Sequence, residues 1–141
     1  MRDVASLCIT DLENKVKELP EFAEKAFIVY DQEVMLGTTQ GLQYPCLGVV
    51  YEGIIGYKGN AGQAAELSAS LILLAGDKEA ETRGNEDKTS IVLLLDKIRK
   101  TIINTAAPTG HKWEFVMEIP LDIDTKGLGY YMKWKTNTAL T

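Results

Sequence analysis

A chain of 141 residues with 45% hydrophobic and 25% charged side chains has the size of one domain and lies outside the composition of disordered chains. Its formal net charge of -5 excludes a protein that grips duplex DNA or an anionic membrane surface, because affinity for phosphate comes mainly from Lys and Arg displacing counterions. Two cysteines, Cys8 and Cys46, neither in a CxxC pair, exclude a disulfide framework and point to a reducing compartment.

The N-terminal residues meet Asp11, Glu13 and Lys15 before any long apolar run, which predicts no signal peptide and synthesis in the cytoplasm. The longest near-apolar stretch, 69–76, is far shorter than the roughly 20 residues a spanning helix requires, so no membrane association is expected.

Over 3–19, Val4, Leu7, Cys8, Leu12, Val16 and Leu19 recur at helical spacing, predicting an amphipathic helix that ends before Pro20. Cys8 lies on that stripe and reads as a small core residue rather than a reactive thiol. Phe27, Ile28, Val29 and Tyr30 form a short β-branched and aromatic run, as a strand does. A second strand is predicted over 47–51, introduced by Pro45. The glycine-punctuated segment 56–62 then reads as a wide hairpin loop.

From 65 to 75, Leu67, Ala69, Leu71 and Leu73 alternate with Glu66, Ser68, Ser70 and Ile72, a period of two that predicts a strand. A helix is the alternative, since Ala and Leu favour helix and the run is long enough for one. The polar stretch 77–88 reads as a solvated loop, and a helix capped by Asp87 or Thr89 should follow, with Ile91, Leu94, Leu95, Ile98 and Ile102 facing the core. Leu93 and Ile103 fall off that stripe, either because the helix buries more than one face or because they form a partner surface.

Trp113, Phe115, Met117 and Ile119 alternate with Glu114, Val116 and Glu118 in a further strand. Leu128, Tyr130, Met132 and Trp134 alternate with Tyr131, Lys133 and Lys135 in another. Paired across 122–127, the two would place Glu114 and Glu118 on the same outer face as Lys133 and Lys135. The whole predicts a single α+β domain over 1–141, a largely antiparallel sheet of about five strands with two amphipathic helices on one face.

Chemistry-bearing residues are sparse. His111, the sole histidine, sits in a loop without a neighbouring nucleophile elbow, so neither a catalytic triad nor a His-based metal cluster is expected. Gly56, Gly59 and Gly62 lead to Gln63 rather than to the Gly-Lys-Ser/Thr of a phosphate loop. The stretch 122–127 begins like a calcium loop but carries Lys126 at its fifth position and Lys133 at its twelfth. Tyr130, Tyr131 and Trp134 beside Lys133 and Lys135 suggest base stacking, yet the signature strand motif of an RNA-recognition domain is missing. No enzyme and no cofactor are therefore expected.

In the order of its elements the chain resembles the tail terminator (tail completion) proteins of long-tailed bacteriophages. The segments that carry the resemblance are 4–19, 45–51, 64–75, 87–103, 113–119 and 128–136, which together cover most of the chain. The resemblance implies a virion protein assembled in the host cytoplasm, a subunit of a hexameric ring that caps the tail tube, ends polymerisation and joins the head–tail connector. The tube protein, the connector and the tail sheath are the implied partners, and DNA passes through the ring without specific binding. Candidate partner contacts are Tyr57, Lys58 and Asn60 in one polar loop and Asp77, Lys78, Glu79, Glu81, Arg83, Glu86 and Lys88 in the other. The alternative from another class is a small monomeric or dimeric domain that binds single-stranded nucleic acid or a metabolite.

Overall fold

The computed structural model describes residues 3–29, 45–56, 64–77, 85–122 and 127–139. Helix α1, Val4–Lys17, starts on Asp3, whose carboxylate accepts the Ser6 backbone N–H at 2.8 Å and so satisfies one of the donors a helix start leaves open. That hydrogen bond holds the Asp3 carboxyl below its ordinary range. Lys15 and Lys17 in the last turn suit the negative end of the helix dipole. A 3-10 turn, Pro20–Phe22, leads into strand β1, Ala26–Val29.

Strands β2, Cys46–Gly56, and β3, Ala64–Asp77, follow, then helix α2, Asn85–Ile102, and strands β4, Glu114–Asp122, and β5, Gly127–Ala139. The five strands form one sheet in the order β1-β2-β3-β5-β4. Three of its four pairings are antiparallel: β2 with β3 and β4 with β5 across short connections, as predicted, and β3 with β5 across α2 and β4, while β1 on β2 is parallel. The segment 65–75 is thus a strand, and its period-two pattern prevails over the helix preference of Ala and Leu because both its neighbours pair with it.

Alternation sorts the side chains of the sheet between two faces. On one face Leu47, Val49, Leu67, Ala69, Leu71, Leu73, Met132 and Trp134 pack against Cys8, Ile9, Leu12 and Val16 of α1 and Ile91, Leu95, Ile98 and Ile102 of α2. Burying each Leu or Ile of this layer stabilises the fold by about 1.5–3 kcal/mol relative to leaving it exposed. On the other face Val29, Cys46, Val50, Ile72 and Leu74 form a smaller cluster, with Phe27, Leu121 and Tyr131 against it. Leu93 of α2 and Ile103 just beyond it are exposed, together with Val92, so over 91–103 the buried side chains share one stripe.

Beyond α2, Asn104 takes up a left-handed backbone (φ 61°), and the chain turns through Gly110 (φ 90°) back towards the sheet. The turn is closed by Ala107 N–H to His111 O at 2.7 Å and Trp113 N–H to Thr105 O at 2.9 Å. Trp113 is fully buried at the entrance of β4, and its Nε1–H donates to Asp11 Oδ2 at 2.9 Å. Asp11 also accepts from Lys15, whose Nζ donates at 3.0 Å to the Ala106 carbonyl. These contacts tie α1 to the turn that delivers β4.

Candidate assembly surface

Among the described residues strand β4 pairs with β5 alone and so ends the sheet. Its register shifts between Phe115 and Met117, where Val116 is an extra residue that forms a β-bulge. Facing partners in a ladder share a side of the sheet, so the shift reverses the alternation. Phe115, opposite Trp134, lies on the helix side, whereas Met117, opposite Lys133, and Ile119, opposite Tyr131, lie on the far side. Glu118, opposite Met132, is carried to the helix side, where it forms an ion pair with Arg99 of α2. The expectation that Glu114 and Glu118 share an outer face with Lys133 and Lys135 therefore holds for Glu114 only. Lys135 approaches Glu66 at 3.3 Å and Lys133 approaches Glu52 at 4.0 Å.

The bulge also changes what β4 buries. Trp113 is enclosed, but Phe115, Val116, Met117 and Ile119 are 37%, 39%, 41% and 44% exposed, on both sides of one strand. Phe115 lies edge-on to Trp134 with ring centroids 5.5 Å apart, which fixes its orientation at the surface. Pro120 stands within the strand, a position tolerated at an edge because proline lacks the N–H that a further neighbour would need. The sequence held two signals of this arrangement: three consecutive apolar residues, Phe115 to Met117, which break the alternation, and a proline inside a strand.

At the opposite edge, β1 and the first turns of α1 form an apolar groove of about 560 Å³. Ala5, Ile9, Ile28, Val29 and Tyr51 line it, with Asp3 and Ser6 at the start of the helix. Ile28 is 50% exposed there and Tyr51 41%. Near the middle of the sheet, on the face away from the helices, the Tyr131 hydroxyl donates to Glu52 Oε1, and burial together with that carboxylate keeps the phenol well above its ordinary range. Burial likewise pushes the Cys8 and Cys46 thiols up to about 11.

Of the partner contacts expected from the sequence, Tyr57, Lys58, Asn60, Lys78, Glu79, Glu81 and Arg83 lie outside the described residues. Asp77 is the last residue of β3, in register with Gly127, and Glu86 and Lys88 fall in the first turn of α2. The loop expected over 77–88 is thus shorter at both ends, because β3 keeps pairing with β5 to its last residue and the helix begins at Asn85 rather than after Asp87. His111 is exposed in its turn, where its backbone N–H donates to Thr109 Oγ1 at 3.1 Å. Among the described residues no three His, Cys, Asp or Glu side chains converge as a metal site, and no helix is long and apolar enough to cross a membrane. No protein-family model and no curated protein matches the chain.

Proposed function

We propose that this protein is a structural subunit that assembles with copies of itself into a ring, caps a phage tail tube, ends its polymerisation and forms the joint to the head–tail connector. The observation that carries the assembly reading is the edge strand β4. An unpaired strand edge is a template for a further strand, and natural proteins blunt such edges when they act alone. Here Phe115, Val116, Met117 and Ile119 leave apolar surface on both sides of β4 before Pro120, and the inward-facing Glu118 is neutralised by Arg99 within the same copy.

The placement of this strand in a cap for a phage tail rests on the resemblance of the element order to tail terminators. The charge balance suits that role: an acidic subunit lets a polyanion pass through a ring without gripping it. The test is to mix the purified chain with tail tube protein and measure masses by light scattering and particle shapes by electron microscopy. Rings of six that bind tube ends and stop their growth are expected. A chain that remains monomeric at every concentration, with and without tubes, refutes the reading.

The groove between α1 and β1 favours one second reading, a metabolite-binding module, since its 560 Å³ falls within the usual size of ligand sites. That reading requires a monomer whose melting temperature rises with a small ligand. Single-stranded nucleic acid fits less well, because Lys133 and Lys135, the cations beside Tyr131, already face Glu52 and Glu66.

A further inference from the structure

We propose that the contact between copies is head to tail, with β4 of one copy laid antiparallel along β1 of the next and Phe115 seated in the groove beside Ile28; this rests on the assembly reading above. The sheet order puts β1 and β4 at opposite edges, so one copy cannot join them to each other. The directions follow from the ladder. Strand β2 runs with β1, β3 against it, β5 with it and β4 against it. A rotation about an axis along the strands therefore brings β4 of one copy antiparallel to β1 of its neighbour.

The faces agree as well. Phe115 and Ile28 are both on the helix side, in register with Trp134 and Val49 respectively. Met117 is on the far side, as is Phe27, which packs with the smaller apolar cluster. Setting Phe115 opposite Ile28 and counting through the bulge puts Met117 opposite Phe27 and Glu118 opposite Ala26, each pair on a common face. The lengths agree too: β1 spans only Ala26–Val29, and Pro120 ends the run of β4 residues able to pair.

Charge adds to the match. Lys112, exposed just before β4, comes to the end of β1 where Asp3 borders the groove with Val29. Glu114 is no obstacle to Asp3, since it lies on the far face opposite Lys135. Because the two contacting surfaces differ, each copy has one free surface of each kind, and the contact closes into a ring when the rotation does.

Ile28→Asp and Met117→Asp, at exposed positions on β1 and β4 within the proposed contact, test this by mixing. Each variant alone should lose the ring and sediment as a monomer, with self-association at least about 30-fold weaker, the effect of one lost interface hot spot. An equimolar mixture should form a one-to-one dimer, because one intact β4 edge and one intact groove remain. Circular dichroism and melting curves check that both fold; Ile28→Lys and Met117→Lys replace either variant that does not. A mixture that stays monomeric, or a ring that survives either substitution, overturns the proposed contact while leaving assembly standing. Loss of association in Met117→Asp but not in Ile28→Asp also overturns it and indicates β4 pairing with β4. A wild-type chain that never assembles overturns the contact and the assembly reading together.

Discussion

Trp113 offers the most direct measure of what holds β4 in place. The indole is fully buried and its N–H donates to Asp11 at 2.9 Å, so Trp113→Ala empties a large site and removes a charge-assisted hydrogen bond. Large aromatic-to-alanine changes in cores cost about 3–5 kcal/mol, a large part of the roughly 5–15 kcal/mol that stabilises a typical domain. Trp113→Phe separates the two contributions in part, since it keeps a six-membered ring in the site and removes the N–H with the rest of the five-membered ring. A hydrogen bond to a charged group contributes about 1.5–3 kcal/mol, and the lower figure applies because Asp11 retains Lys15. Urea unfolding reads both variants, with Trp134 as the remaining fluorescent probe. A cost below about 1 kcal/mol for the alanine variant would show that the site collapses freely and that Trp113 does not anchor the turn.

Arg99→Met leaves Glu118 half-buried against α2 without its partner and should cost about 1 kcal/mol in urea unfolding, more than Lys100→Met at a well-exposed position. Gly53, in the bulge of β2, has φ 115°, so Gly53→Ala should destabilise by about 1 kcal/mol or more although no atom lies within 4 Å of the added carbon. Cys8 and Cys46 should resist a thiol reagent in the native protein and react once it is unfolded, because burial disfavours the thiolate. Their raised values also set a sign: the stability they contribute is complete below the ordinary 9.0, where both states hold the proton, and is lost as pH rises towards about 11. Denaturation midpoints measured across that window, with Cys8→Ala and Cys46→Ala for comparison, check it.

Where one periodic signal met one partner, the sequence was readable. The stripe of Cys8, Leu12 and Val16 and that of Ile91, Leu95, Ile98 and Ile102 are buried as their spacing predicts, although Leu7, placed on the first stripe, is exposed and Ile9 takes its place in the core. The alternation of Met132 and Trp134 with Lys133 is kept in β5. Strand β3 was ambiguous by propensity, and only pairing on both sides decides it. The parallel setting of β1 on β2 follows from where the chain re-enters the sheet, which periodicity does not encode. The surface on β4 was hidden for a local reason. One extra residue, Val116, exchanges the faces of everything after it, so side chains read as core became a rim and a glutamate read as solvated met Arg99.

The insertion of β5 between β3 and β4 imposes an order of events. Among the described residues strand β4 has no neighbour in the sheet other than β5, although β5 comes later in the chain. While the polypeptide is being synthesised, the paired form of β4 therefore does not yet exist. It is created only when the final ladder closes, with Leu71 meeting Met132 across sixty-one positions of chain. Long-range closure of this kind is slow compared with local hairpins. On the proposed contact, completion of the single molecule precedes its pairing with a second copy through β4.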